Sequence, residues 1–193
     1  MADVFEDRRD LDAVRERLWR LIDSTPLLDW QLLTKRPHNV MRLSPWKKEW
    51  PGNVWLGTTV EDQERATLRL PILLKIPARV RFLSCEPLLG SVNLATFVRE
   101  KGEIHWIIAG GESGPGARPM DPSWPRQLRD FSRELEIAFH FKQWGHWAPK
   151  SPDTAKVKST TLADGVVLYA VGKKSAGRRL DGKTWNQLPV IER

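Results

Sequence analysis

Five short apolar runs, each ending in a polar cluster, constrain this chain more than any other feature. Leu32-Leu33 leads into Thr34-Lys35-Arg36, and Val54-Trp55-Leu56 into Gly57-Thr58-Thr59-Val60-Glu61. Val80-Arg81-Phe82-Leu83 leads into Ser84-Cys85-Glu86-Pro87, Trp106-Ile107-Ile108-Ala109 into Gly110-Gly111-Glu112-Ser113, and Ala138-Phe139-His140-Phe141 into Lys142-Gln143-Trp144. Segments with helical periodicity lie between them. A strand–helix alternation of this kind calls for a parallel sheet with right-handed crossovers. Such sheets carry their functional groups at the C-terminal strand ends. The expectation is an α/β fold: a partial (β/α) barrel-like parallel sheet of about five strands, with its site on one rim. The 193 residues fall short of the roughly 250 of an eight-unit barrel.

Local patterning assigns the elements. Residues 9–24 read as an amphipathic helix with Leu11, Val14, Leu18, Leu21 and Ile22 on one face. Strands are expected at 29–34, 53–60, 79–84, 104–109 and 137–142. Pro37 suits the first turn of a short helix through about residue 44. The segment 61–75 reads as a helix with Ala66, Leu70, Leu73 and Leu74 inward and with Pro71 kinking or dividing it. A weak helix is expected over 91–101. Asp121 as cap and Pro122 at the first position open a helix whose stripe is Trp124, Leu128, Phe131 and Leu135. After residue 148 the character changes to Lys, Thr, Ser and Gly, with one strand-like run from Gly165 to Val171. The expected division is therefore a partial barrel-like domain over 1–148 and a basic C-terminal appendage over 149–193, for which a hairpin is one form.

Composition narrows the function classes. No run approaches the ~18 apolar residues of a membrane span, and the charged N-terminus has no signal-peptide core. The single cysteine, Cys85, excludes an internal disulfide framework, suits a reducing cytoplasm, and leaves no multi-cysteine metal site within this chain. The four histidines, His38, His105, His140 and His146, have no ligand spacing, so no metal is assigned. Residues 150–193 hold nine Lys and Arg against four acids, so +5 of the formal +7 falls in the tail. Lys173, Lys174, Arg178 and Arg179 are its nucleic-acid candidates, although a solvated lysine-rich surface is the default meaning of such a charge. Most of the ten tryptophans sit in apolar segments and read as core; Trp144 and Trp147, after the last strand, could instead wall a planar ligand.

Chemistry-bearing candidates collect at the strand ends. In Gly110-Gly111-Glu112-Ser113-Gly114-Pro115-Gly116 the glycines allow a tight turn with amides close to an anion, and Glu112 could accept from an amine or a ribose. The run matches neither the dinucleotide fingerprint nor the phosphate-loop pattern. Glu86, held before Pro87, is either a base or cation partner projecting from its strand, or a buried carboxylate paired with Lys35, Arg36 or Lys142. Cys85 lacks a neighbouring histidine and reads as a core thiol. Thr34-Lys35-Arg36 is compatible with anion binding at a helix start, and Lys142-Gln143-Trp144 offers a cation, an amide and an aromatic plane. The ligand-binding candidates are Lys35, Arg36, Thr59, Glu61, Glu86, Gly110, Gly111, Glu112, Ser113, Lys142, Gln143 and Trp144.

Taken in order, Leu32-Leu33-Thr34-Lys35-Arg36-Pro37, Asn53-Val54-Trp55-Leu56-Gly57, Arg81 through Gly90, Gly110-Gly111-Glu112-Ser113-Gly114 and Phe141-Lys142-Gln143-Trp144-Gly145 resemble a bacterial and phage family of uncharacterised "three-cysteine-motif" proteins. That family looks related to radical S-adenosylmethionine enzymes. The tail from Gly172-Lys173-Lys174 to Trp185 resembles the family's C-terminal end. The resemblance implies S-adenosylmethionine and an iron–sulfur cluster in full-length relatives. Their cysteine trio has no counterpart here, and one cysteine cannot replace it. On this reading the chain is a truncated product, a mis-called start or half of a split protein, without cluster chemistry of its own. An incomplete barrel would expose a strand edge, covered in part by helix 9–24 or by a partner chain or self-association. Three functions compete: a fragment of a radical-type enzyme with rim residues binding cofactor or substrate, a non-catalytic nucleic-acid-binding module, and an inactive remnant.

Overall fold

The five apolar runs form five parallel strands in a computed structural model that describes residues 3–47, 49–149 and 157–191. They are β1 (Trp30–Thr34), β2 (Val54–Thr59), β3 (Val80–Cys85), β4 (Trp106–Gly110) and β5 (Ala138–Gln143). Their spatial order is their sequence order, β1-β2-β3-β4-β5, and every pairing is parallel. The helices are α1 (Asp12–Ser24), α2 (Pro37–Leu43), α3 (Gln63–Leu73) and α4 (Ser123–Glu134). The α/β class is thus as the sequence led us to expect. The sheet is open, with β1 and β5 at its two ends.

Period-2 alternation divides the sheet between two apolar layers. Leu56, Leu83, Ile107 and Phe139 pack with α1, α3 and α4 in the main core. Trp55, Val80, Phe82 and Trp106 face the other way and gather Ile108, Ala138 and the C-terminal Ile191. Every residue of β2 is buried, the pattern of a strand covered on both faces. Gly57 belongs to that packing: a Cβ there would lie 2.3 Å from the Phe82 ring. A fully buried Leu or Phe contributes about 2 kcal/mol. The dozens of buried apolar side chains therefore outweigh the polar rim as the source of stability.

Several local expectations are corrected. The buried face of α1 is Arg15, Trp19 and Ile22, whereas Val14 and Leu21 are 59% and 47% exposed. Arg15 turns the helix: its guanidinium donates to the carbonyls of Val4, Glu6 and Arg8 and pairs with Asp12, so a charged residue sits where a leucine stripe was expected. Pro71 does not divide α3, which runs from an Asp62 cap to Leu73. It lies two residues from the end of the helix, so the one backbone hydrogen bond it forfeits falls in the final turn and the helix stops soon after. The weak helix over 91–101 is a single 3-10 turn, Leu94–Thr96.

The tail is bound to the sheet. It contains a hairpin of β6 (Ser159–Thr161) and β7 (Val167–Tyr169), a short helix α5 (Gly172–Ala176), and a second hairpin of β8 (Arg179–Leu180) and β9 (Lys183–Thr184). The Phe141 N–H donates to Trp185 O (3.1 Å) and the Gln187 N–H to Phe139 O (3.1 Å), so residues 185–187 run along the outer edge of β5. The edge feared exposed is therefore covered on the β5 side by the chain's own tail, not by helix 9–24. Among the described residues, no strand pairs with the outer edge of β1. No helix of the described residues is long and apolar enough to cross a membrane.

Candidate functional site

The polar residues after β2, β3, β4 and β5 meet at the C-terminal edge of the sheet in three carboxylate-centred corners. In the first, Glu61 receives Lys35 Nζ (2.7 Å) on one oxygen and Arg69 Nη1 (2.7 Å) on the other. Arg69 also donates to Thr59 O (2.7 Å), which ties the end of β2 to α3. Burial alone would raise the Glu61 carboxyl, but the Lys35 hydrogen bond and the Arg69 charge hold it below the ordinary carboxylate range. The Leu89 N–H donates to Glu61 O (2.7 Å) and pins the loop after β3.

Glu86 makes the second corner. Its Oε2 accepts from Lys142 Nζ (2.7 Å) and its Oε1 from Gln143 Nε2 (2.9 Å), while the same amide reaches Ser113 Oγ (3.3 Å). Of the partners left open by the sequence, Lys142 is the one taken. The Glu86–Pro87 peptide is cis. A Cβ at Gly110 would lie 3.3 Å from Glu86 Oε1, so the glycine leaves room for the carboxylate. Lys142 is half exposed and Glu86 mostly covered.

The third corner is Glu112, whose carboxylate accepts from the Arg118 backbone N–H (2.8 Å), Nε (2.9 Å) and Nη2 (2.7 Å). The Arg118 side-chain and backbone hydrogen bonds pull the Glu112 carboxyl down to about 2. The glycines beside it have a different task from the anion cradle expected of them. The Gly111 N–H donates to Gln143 O (3.0 Å) and the His146 N–H to Glu112 O (2.7 Å). A Cβ on Gly111 would stand 1.9 Å from Trp144 O, and one on Gly145 2.2 Å from Glu112 O. The two loops interlock backbone to backbone, and only glycine fits.

Three expected rim contributors are committed elsewhere. Arg36 points to the N-terminal segment, pairing with Asp3 (3.1 Å) and Glu6 (3.0 Å). The anion at the start of α2 is the chain's own Asp3, which accepts from Thr34 Oγ1 and the Lys35 N–H. Trp144 is 5% exposed, packs on Phe141 and donates its indole N–H to Arg179 O (2.8 Å). Trp147 is likewise buried, donating to Ala117 O (2.7 Å). Neither borders the three carboxylate corners with a free ring face. Cys85 is buried, and burial pushes its thiol up to about 12, so it is not a thiolate nucleophile. Arg69, Arg118 and Gly145 went unselected in the sequence. Arg69 falls eight residues beyond Glu61 and Arg118 six beyond Glu112, spacings that reveal a partner only once the crossover direction is known.

Lys173 and Lys174 lie exposed on α5 and Arg178 and Arg179 just after it, and none of the four bonds to a carboxylate of the three corners among the described residues. Among the described residues, no group of three or more His, Cys, Asp or Glu side chains is arranged to hold a metal ion. Neither the curated proteins nor the solved structures include a match to this sequence. A family model covers residues 1–189, and the chain belongs to that family, the DUF5131 proteins of unknown function.

Proposed function

We propose that the C-terminal edge of the sheet binds a small ligand bearing both a cationic and an anionic group, with S-adenosylmethionine as the first candidate. On this reading the chain is the ligand-binding part of a radical S-adenosylmethionine-like enzyme. The observation that carries it is the Glu86 corner. A carboxylate, a half-exposed ammonium and a primary amide converge from the ends of β3 and β5, with the bare Gly110 packed against the carboxylate. Glu86 suits a ligand amine and Lys142 a ligand carboxylate, because each can exchange its internal partner for the ligand's group of the same sign. The residues present do not fit an iron–sulfur cluster, since the single cysteine is buried in β3 and a cluster needs several thiolates. Cluster chemistry would require cysteines from outside these 193 residues, and the edge of β1, unpaired among the described residues, offers a place for a further strand to extend the sheet.

Calorimetric titration with S-adenosylmethionine tests the reading. Saturable binding by the wild type, weakened about tenfold or more in Glu86→Ala, is expected from losing one charge-assisted contact. Binding that is unchanged in both Glu86→Ala and Glu112→Ala removes the rim from the account.

A further inference from the structure

The rim leaves the basic tail unexplained, and the fold gives that tail a definite shape. A cleft of about 440 Å³ opens between the start of α4 and residues 175–182. Arg126, Ser175, Arg178, Arg179 and Asp181 line it over the edge of Trp144. Its one acid is already neutralised: Asp181 pairs with Arg126 (2.8 Å) and with Arg129 (2.5 Å). Arg178 touches only the Asn186 amide, and neither Arg178, Arg179, Lys173 nor Lys174 forms an ion pair among the described residues. No acid occurs between Asp164 and Asp181.

The cations also stand on a fixed frame. The Trp144 N–H donates to Gly177 O (3.1 Å) and its indole N–H to Arg179 O (2.8 Å), so the 177–179 backbone is fastened to the end of β5. Leu180 is buried, and strand alternation turns Arg179 outward. The backbone from which the two guanidinium groups project is thus fixed, and their planar forks are pre-organised for phosphate.

We propose that this cleft binds the phosphates of a single-stranded nucleic acid, with Arg178 and Arg179 in the cleft and Lys173 and Lys174 at its lip. Four uncompensated cations within seven residues answer a ligand that repeats its charge, as a phosphodiester chain does. Guanidinium groups match the phosphate oxygens bidentately. The inference is independent of the rim reading, as the two use different residues.

Fluorescence anisotropy with a labelled single-stranded oligonucleotide, at about 50 to 200 mM salt, tests it. The logarithm of the wild-type affinity should fall linearly with the logarithm of salt, with a slope of about −3 for four neutralised phosphates. R178E/R179E should weaken binding about thirtyfold or more, whereas the charge-matched R17E/R20E on α1 should change it little. R178Q/R179Q supplies the milder variant if the reversal lowers the melting temperature. Failure of the wild type to bind at low salt, or an equal loss in the α1 control, overturns the proposal. So does equal competition by polyglutamate or pyrophosphate, which would make the cleft a general anion site.

Discussion

Two glutamates at the same sheet edge, Glu61 and Glu86, share one kind of partner, a half-exposed lysine, and differ in the other. Glu61 is locked: both oxygens hold cations, Arg69 is itself mostly buried, and the backbone carbonyls of Thr59 and Glu61 are taken as well. Glu86 is held by one half-exposed lysine and one amide, with Gly110 packed against its carboxylate. The difference separates two uses of one residue type. A carboxylate whose second oxygen holds a mostly buried arginine fastens elements together, and one whose second oxygen holds only an amide can trade its partner for a ligand. Glu112, nearer the surface and gripped by Arg118, fastens its own loop.

Substitutions sharpen this contrast, and the largest effect should come from the frame on which both corners rest. Gly111→Ala forces a Cβ into the Trp144 carbonyl and should lower stability by about 3 kcal/mol or more, read by urea unfolding. A near-neutral result would mean that the two loops are not interlocked. Next, Glu61→Leu leaves Arg69 without its carboxylate and should cost about 3 kcal/mol, as when one member of a buried pair is removed. If it costs no more than Glu86→Gln, the distinction between a locked and an open corner fails. Glu86→Gln should itself cost only about 1 kcal/mol.

The smallest effect is one of pH. The Glu112 carboxyl is lowered when folded, to about 2. Its contribution is therefore complete above the unfolded carboxylate range near pH 4.5 and fades as pH falls toward about 2. The melting-temperature gap between wild type and Glu112→Gln should be small at pH 6, because the pair is on the surface, and should close on acidification. A gap that widens as pH falls would reverse the sign of the coupling.

Much of the scaffold was legible because its signals are local. Apolar runs of strand length with polar ends marked all five strands, and Pro37 and Asp121-Pro122 marked two helix starts. The polar clusters at those strand ends supplied Lys35, Glu61, Glu86, Lys142 and Gln143, which do meet. What escaped depends on contacts between distant segments. The Leu-based face of α1 was displaced by Arg15 because the N-terminal carbonyls that Arg15 binds are invisible to helical periodicity. Trp144 reads as a rim aromatic until the tail folds back to accept its indole N–H. The glycines of Gly110-Gly111 read as an anion cradle until Gly145 is seen packed against them. In each case the deciding partner lies seven or more residues away.

The most direct test of the central claim is a calorimetric titration of S-adenosylmethionine into the wild type and Glu86→Gln, at a temperature where both are fully folded. The account predicts saturable binding by the wild type and its loss in the variant, with the two proteins unfolding at nearly the same temperature. Equal binding by both proteins, or no binding by the wild type, would contradict it.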